Sequence, residues 1–348
     1  MDIRGRGAAG NPHNRFASLR VEADDDAWID DDPRPLKTVF LKDDSQSILV
    51  PNLAEDLSFD YGINPYRGCE HGCAYCYARP SHEYLGFSAG IDFESKIVVK
   101  ADAPELLERA LAKPSYKSGK ISLSGITDCY QPVERKLEIT RRCLEVLARF
   151  RNPVGVITKN ALITRDVDHL AELARHQAAV VYISITTLDP DLARILEPRA
   201  SSPRARLETI RTLTDAGIPV GVSAAPLIPG LNDSELPAIL EAAAEHGAKF
   251  AGYSFVRLPG AVAEVFSDWL ERHRPLAKEK ILGRIRAVHG GKLNSSEPVV
   301  RMRGVGEAAV QWRALFQACC RKHHLATRPP ALDVHAFRRL VAGQGELF

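Results

Sequence analysis

Short runs of apolar, often β-branched residues alternate along most of the chain with longer segments in which apolar residues recur every three or four positions. The first pattern predicts buried strands and the second predicts amphipathic helices. Strands are predicted near residues 59–64 and at residues 121–124, 154–158, 180–185, 219–223 and 250–256. Helices are predicted between them at about residues 133–150, 165–176, 203–216 and 234–246, and Gly217 and Gly247 follow the last two as helix-ending residues.

This alternation predicts an α/β fold of βα units around a parallel sheet. About six units favour an incomplete (β/α)6 barrel over the closed eight-unit barrel, and an open doubly wound sheet is the alternative. Residues 55–262 form the predicted barrel, while residues 1–54 lack apolar periodicity and predict a mobile or extended N-terminal segment. Residues 263–348 predict a helical C-terminal extension, with helices at 264–272, 276–288, 307–323 and 334–340.

The charge of the chain is balanced overall but unevenly distributed. The 348 residues, 45% of them hydrophobic, carry 46 Lys and Arg against 44 Asp and Glu, a net charge of +2. The net charge is −6 over residues 1–60, −1 over residues 61–269 and +9 over residues 270–348. Only the C-terminal extension is therefore suited by charge to a polyanionic partner.

No apolar run is long enough to span a membrane, and the first residues lack the apolar core of a signal peptide. These features predict a soluble, cytoplasmic protein in which the seven cysteines are reduced. Metal binding or cysteine chemistry is therefore expected rather than a disulfide framework.

Three of the cysteines follow one another at close spacing. Cys69, Cys73 and Cys76 form a C-x3-C-x2-C motif, which fits an iron–sulfur cluster or a zinc ion. His71 or His82 would complete a Cys3His zinc site. With three thiolates on a [4Fe-4S] cluster, the fourth iron stays open to a substrate or cofactor, which would make the cluster a catalytic centre.

This motif, with an aromatic residue before its last cysteine, resembles the cluster motif of the radical S-adenosylmethionine (SAM) superfamily. The flanking segments, residues 62–68 and Tyr77-Ala78-Arg79, are similar to its spore photoproduct lyase-related branch. The resemblance covers residues 61–258 and implies the incomplete barrel of that superfamily. It also implies a [4Fe-4S] cluster and SAM as cofactors, a flavodoxin- or ferredoxin-type electron donor, and a 5′-deoxyadenosyl radical that abstracts a hydrogen atom from the substrate.

Polar residues after the predicted strands are expected at the mouth of such a barrel. The resemblance implies that the segment containing Ser124, Gly125 and Asp128 meets the amino group of SAM, and that Lys159 and Ser184 meet its carboxylate or ribose. It further implies that Tyr75 lies near the adenine. For each of these side chains the alternative is a polar group that satisfies its own loop, or for Tyr75 simple packing.

Cys129 directly follows Asp128 and has two interpretations, a hydrogen-atom donor at the barrel mouth or a buried structural cysteine. The position that aligns with the donor cysteine of the lyase is Gly125 here, a departure from the pattern of that enzyme. Cys143 shares a helical face with leucines and is expected in the core. Arg199 is expected either to bind an anion or to form an ion pair at the surface.

The extension carries basic side chains close to Trp312 and Phe316, which predicts either a face for a phosphate backbone or a solvated helix surface. The last five residues resemble the short peptide that docks into the groove of the bacterial sliding clamp. They are Gln344, Gly345, Glu346, Leu347 and Phe348.

The leading hypothesis is a lyase-like radical SAM enzyme acting on a nucleic acid such as damaged DNA. A non-catalytic iron–sulfur or zinc protein that binds nucleic acid is the second hypothesis. A radical SAM enzyme that modifies a protein, an RNA or a metabolite is the third.

Overall fold

The structure, a computed structural model, describes residues 3–17 and 36–340. Its strands are β1 (Val39–Lys42), β2 (Val50–Pro51), β3 (Tyr61–Ile63), β4 (Tyr66–Arg67), β5 (Lys96–Val99), β6 (Ile121–Leu123), β7 (Val154–Thr158), β8 (Ala179–Ser184), β9 (Val220–Leu227) and β10 (Phe250–Phe255). Its α-helices are α1 (Ile91–Ser95), α2 (Ala103–Ala112), α3 (Glu134–Leu137), α4 (Ile139–Phe150), α5 (Val167–Arg175), α6 (Pro190–Leu196), α7 (Pro203–Asp215), α8 (Leu236–Glu245), α9 (Val262–His273), α10 (Lys278–Val288), α11 (Val300–Arg303) and α12 (Gly306–Lys322).

The main sheet has the strand order β10-β9-β8-β7-β6-β3-β2. The six strands from β3 to β10 in this order are parallel to their neighbours, and β2 adds an antiparallel edge. Helices separate the successive parallel strands, and within the described ranges no pairing joins β10 to the opposite edge. The predicted fold class, an incomplete (β/α)6 barrel with helices after it, is confirmed.

The parallel strands are apolar because both of their faces are covered. All three residues of β6 are buried, as are five of the six residues of β8. Leu144 and Leu147 of α4 are fully buried in the same core, and Cys143 lies there as predicted. Gly217 and Gly247 follow α7 and α8 with φ of +79° and +99°, a conformation that glycine adopts without a Cβ clash.

A smaller three-stranded sheet, in the order β1-β5-β4, lies beside the cysteine motif. β1 is parallel to β5, and β4 is antiparallel to it. β4 ends at Arg67, two residues before Cys69, whose amide donates to the Phe93 carbonyl over 2.9 Å just ahead of β5. This sheet therefore fixes the start of the cysteine segment.

The C-terminal extension covers one edge and one end of the barrel. α12 packs against α8 and α10, and Ala326 forms a bridge with Phe250 at the edge strand β10. The predicted helix over residues 334–340 is wrong, since only a 3-10 turn, Val334–Ala336, forms there. The chain instead runs extended past the start of β7, where Phe337 packs on Phe150 and the Arg338 amide donates to the Phe150 carbonyl over 2.8 Å. In the part of the chain described, no helix is both long and apolar enough to cross a membrane.

Candidate active site

A cavity of about 560 Å³ opens at the carboxyl ends of the parallel strands. This is the end at which (β/α) barrels carry their active sites, and the volume is in the range of about 300–1,000 Å³ usual for small-molecule sites. All of the residues predicted to hold the cluster or to lie at the barrel mouth line this cavity, except Cys129. The lining residues so predicted are Cys69, Cys73, Tyr75, Cys76, Ser124, Gly125, Asp128, Lys159 and Ser184.

The segment from Cys69 to Cys76, here called the cysteine loop, is held in place by a buried arginine. The Arg79 guanidinium donates to the Cys73 carbonyl over 2.8 and 3.1 Å, and it pairs with Glu94. Both side chains of this pair are completely buried. Because the charges neutralise each other where no water reaches them, the pair fixes the path of the loop.

Residues near the N-terminus lie against the other side of the cysteine loop. The amides of Gly7 and Ala8 donate to the Glu94 carboxylate over 3.0 and 2.9 Å. A Cβ on Gly7 would stand 1.9 Å from the Gly72 carbonyl oxygen, so only glycine fits this close approach. The contact was not predicted, because a single glycine in a segment without periodicity gives no sequence signal.

The donor set of the cysteine loop fits an iron–sulfur cluster. Its three thiols line one cavity, with Cys69 and Cys73 buried and Cys76 partly buried. Burial raises the pKa of each thiol above its ordinary value, and iron bound to the sulfurs would offset this cost. A protein-bound [4Fe-4S] cluster takes thiolate ligands on separate irons, so its ligands surround a volume rather than a point.

The zinc alternative fits the same residues less well, because zinc requires four ligands around one ion at about 2.0–2.3 Å. Throughout residues 3–17 and 36–340, no three His, Cys, Asp or Glu side chains are grouped to hold one metal ion. The His82 ring nitrogen Nε2 lies 2.9 Å from the Lys96 carbonyl, and burial lowers the pKa of this imidazole to about 4. The His71 nitrogen Nδ1 lies 3.4 Å from an Asp128 oxygen.

Asp128 joins the cysteine loop to two strand ends. Its Oδ1 accepts from the Thr158 hydroxyl over 2.7 Å, and its Oδ2 accepts from the Lys159 amide over 2.8 Å. The same Oδ2 faces His71 of the cysteine loop. The carboxylate therefore sets the spacing between β6, β7 and the loop that carries the thiols.

The turn after β6 is organised by its own polar groups. Ser124 has a left-handed backbone with φ of +90°. Its hydroxyl donates to the Thr127 carbonyl over 2.6 Å and accepts from the Cys129 amide over 2.8 Å. The Asn64 side chain accepts from the amides of Gly125 and Ile126 over 3.0 and 2.9 Å. The Ser124 side chain thus satisfies its own loop, while the backbone of the turn lines the cavity.

A buried carboxylate, Glu197, lies beneath the cavity floor. It accepts hydrogen bonds from Tyr75, from Thr186 over 2.6 Å and from Arg206 over 2.5 Å. The Lys159 ammonium lies 3.8 Å from the carboxylate. Burial raises the pKa of Glu197, but Arg206 and Lys159 outweigh that effect and lower it to about 2. The carboxylate is therefore ionised, and it orients Tyr75 and Lys159.

The sequence indicated Arg199 as a candidate but not Glu197, which lies two residues before it. Arg199 forms an ion pair with Glu70 over 3.1 Å, as in the second of its two predicted roles, but the Glu70 side chain is buried rather than at the surface. The sequence offered no more for Glu197 than a charged residue in a loop ahead of the helix at 203–216, a feature that an exposed residue would share. Its burial follows from the packing of α6 and α7, and this depends on tertiary structure.

Cys129 does not belong to the cavity. Its side chain is completely buried in the main core, and burial raises the pKa of its thiol. The turn at Ser124 causes this, because it directs residue 128 toward the cavity and residue 129 behind it. Of the two interpretations of Cys129, the structure has the buried structural cysteine, and the expected position at the barrel mouth is wrong.

The basic residues of the extension are divided between the two ends of the barrel. Arg339 donates to the Pro114 and Tyr116 carbonyls over 3.0 and 2.8 Å, at the end opposite the cavity. Arg303 lines the cavity, and Arg301 pairs with Asp56 over 2.7 Å at its rim. The extension therefore does not present its charge as one continuous face. Residues 344–348, with their clamp-like pattern, lie outside the described residues.

Comparisons with known proteins agree with this geometry. The family model of the radical SAM superfamily matches residues 63–243, a range that includes the three cysteines. An uncharacterized protein of Mycobacterium tuberculosis is 37% identical over 228 residues, covering 65% of this chain and 67% of that protein. An uncharacterized protein of Methanocaldococcus jannaschii is 28% identical over 221 residues, covering 64% of this chain and 79% of that protein.

Among solved structures, spore photoproduct lyase complexed with dinucleoside spore photoproduct is similar with a TM-score of 0.59. The sequence identity is 14%, with 83% of this chain and 81% of that chain covered, so this likeness concerns the fold. The radical SAM family model, in contrast, matches the sequence itself over more than half of the chain. The chain therefore belongs to the radical SAM superfamily of enzymes, whose cofactors are a [4Fe-4S] cluster and SAM.

Proposed function

We propose that Cys69, Cys73 and Cys76 hold the [4Fe-4S] cluster, that SAM binds beside it, and that the enzyme abstracts a hydrogen atom from a nucleic-acid substrate. The observation that carries this proposal is the shared cavity, which is lined both by the three thiols and by polar groups from the ends of β6, β7 and β8. When bound, the cluster and SAM supply a 5′-deoxyadenosyl radical for hydrogen abstraction.

The residues of the chain position these groups and exclude water. Asp128 fixes the distance between the cysteine loop and the strand ends through its bonds to Thr158 and the Lys159 amide. The Lys159 ammonium offers a positive charge at the floor for the SAM carboxylate, and the backbone of Ser124 and Gly125 offers polar groups for its amino end. Ser184 completes the floor.

The nucleic-acid part of the proposal has separate support. The fold is similar to that of spore photoproduct lyase, which has been solved in complex with a dinucleoside spore photoproduct. Arg303 and several aromatic side chains line the same cavity as the thiols. Sites that bind a nucleotide flipped out of its strand commonly combine cationic side chains with aromatic faces.

The proposed partners beyond the substrate are an electron donor of the flavodoxin or ferredoxin type and a sliding clamp. Radical SAM chemistry consumes one electron at the cluster, which a donor must supply. The proposed clamp contact depends on the sequence of residues 344–348 alone.

The test is an anaerobic reconstitution with iron and sulfide, followed by reduction and addition of SAM. We expect about four iron and four sulfide per chain, as a [4Fe-4S] cluster requires, and 5′-deoxyadenosine detected by mass spectrometry. A protein that retains one zinc ion and takes up no iron would refute the proposal and favour a non-catalytic binding module.

A further inference from the structure

One arginine of the cavity wall is held in position by stacking, with no hydrogen bond or ion pair to the residues that the structure describes. Arg257 lies two residues beyond the end of β10 and lines the cavity. The carbon Cζ of its guanidinium lies 4.4 Å from the centroid of the Tyr77 ring. The Tyr77 hydroxyl donates to the Gly125 carbonyl over 2.7 Å, which fixes the ring. The guanidinium is thus oriented by stacking, a contact that leaves its N–H donors available.

Three other cations around the cavity each have a hydrogen-bond or ion-pair partner in the protein. Lys159 lies 3.8 Å from Glu197, and Arg301 donates to Asp56 over 2.7 Å. Arg303 donates to the Tyr253 carbonyl over 3.2 Å and stacks on the Tyr253 ring at 4.7 Å. Arg257, by contrast, has no hydrogen bond or ion pair to any residue that the structure describes. Its guanidinium therefore has no direct polar partner there, and the acidic groups of Tyr77, Asp56 and Cys76 act on its charge only from a distance.

Burial lowers the pKa of Arg257 below its ordinary value, and the positive charge of Arg301 lowers it further, while Tyr77, Asp56 and Cys76 act in the opposite direction. Partial burial of a guanidinium costs free energy when no carboxylate pairs with it, because the hydrogen bonds it made to water are lost and no others take their place. An anion of the substrate at this point would replace them with charge-assisted hydrogen bonds.

The surroundings of Arg257 favour phosphate over carboxylate as that anion. Aromatic side chains line the same cavity, and 48% of the surface of Tyr77 is exposed. A nucleobase can stack on flat aromatic faces while its phosphate binds the neighbouring cation, whereas a simple carboxylate would make no stacking contact with them. The aromatic residues that line the cavity are Phe59, Tyr75, Tyr77, Tyr182, Tyr253 and Phe255.

We infer that Arg257, seated on Tyr77, binds the phosphate of a single nucleotide unit whose base enters the cavity. The inference rests on the proposed function and narrows it, because it requires a strand with the target nucleotide unpaired or flipped out. Arg257 is then a substrate-binding residue beside the end of the cysteine loop, and it is distinct from the three thiols and from the polar groups proposed for SAM.

The experiment measures binding of fluorescein-labelled single-stranded pentadeoxynucleotides to the reconstituted, SAM-loaded protein by anaerobic fluorescence anisotropy. One strand has ordinary phosphodiester linkages throughout, and in each strand of a second set a different single linkage is replaced by a neutral methylphosphonate. The variants are Arg257→Gln, Arg257→Lys and, as a matched loss of one positive charge, Arg313→Gln. Arg313 is exposed on α12 and does not line the cavity.

We expect one methylphosphonate position to weaken binding to the wild-type protein about tenfold or more, the usual effect of losing a charge-assisted hydrogen bond. Arg257→Gln should weaken binding of the phosphodiester strand by a similar factor and should no longer respond to that position. Arg257→Lys should retain part of the response to that position, and this would show that substitution at residue 257 leaves the site folded. Arg313→Gln should bind both kinds of strand as the wild-type protein does.

The outcomes separate the two proposals. If the wild-type protein binds no strand, both the nucleic-acid substrate and the Arg257 site are refuted. If it binds, but Arg257→Gln and wild type lose the same factor at every methylphosphonate position, the Arg257 site alone is refuted. Displacement of the strand by an acidic pentapeptide at equal concentration would show a carboxylate site and would likewise overturn the phosphate assignment.

Discussion

Replacement of the buried carboxylate Glu197 by glutamine should destabilise the protein by an amount that depends on pH. Glu197 is ionised in the folded state, where Arg206 and Lys159 hold its pKa at about 2 against an ordinary value of 4.5. A difference of about 2.5 pKa units corresponds to about 3 kcal/mol of stability at neutral pH. Removing one partner of a buried ion pair costs a similar amount, about 3–5 kcal/mol.

The sign of the pH dependence follows from the lowered pKa. The stabilisation is complete well above pH 4.5 and is lost as the pH falls toward 2, because the unfolded chain takes up the proton first. Relative to pH 7, the wild-type protein should lose about 1 kcal/mol from this group at pH 4 and about 2 kcal/mol at pH 3. Glu197→Gln has no proton to bind at this position and should lack that loss.

The assay is urea unfolding of the cluster-free proteins at pH 7, 4 and 3, followed by circular dichroism. The matched control is Glu264→Gln, since Glu264 is exposed on α9 and should change the free energy of unfolding by less than about 0.5 kcal/mol. A Glu197→Gln protein within 1 kcal/mol of wild type at pH 7, or a difference that does not shrink in acid, would refute the assignment of Glu197 as an ionised, buried partner of Arg206.

Three further predictions test other parts of the molecule. Cys69→Ala, Cys73→Ala and Cys76→Ala should each lose iron and 5′-deoxyadenosine formation, whereas Cys143→Ala, a core position, should keep both; any single cysteine-loop variant with full turnover would contradict the ligand assignment. Gly7→Ala should speed trypsin cleavage within residues 3–17 about tenfold, since its Cβ meets the Gly72 carbonyl at 1.9 Å, while Gly10→Ala, with nothing within 4 Å, should not. Deleting residues 344–348 should abolish binding to purified sliding clamp, measured by surface plasmon resonance, and unchanged affinity would exclude that contact.

The cysteine motif and the alternation of strands and helices were sufficient to predict the fold class and to propose a candidate site. Both depend on short-range patterns, since the spacing of Cys69, Cys73 and Cys76 brings three donors onto one loop, and the apolar period of each segment decides strand or helix. The residues following the strands were predicted to meet at one end of the sheet, and Ser124, Asp128, Lys159 and Ser184 do line one cavity.

The direction of single side chains was decided only by the tertiary structure. Asp128 and Cys129 are neighbours, yet the turn at Ser124 sends one to the cavity and the other to the core. The residues of 334–340 have a helical pattern, but Phe337 gains more from packing on Phe150 in an extended chain than from a short helix.

The sequence by itself thus determined the fold class and the position of the cysteine loop, because both are indicated by patterns among residues close along the chain. Only the tertiary structure decided that Glu197 is buried against Arg206, that Gly7 lies against the cysteine loop, and that Arg257 has no hydrogen bond or ion pair within the described residues. These features join segments far apart in sequence, and whether a charge is paired or free depends on every neighbour that folding brings around it.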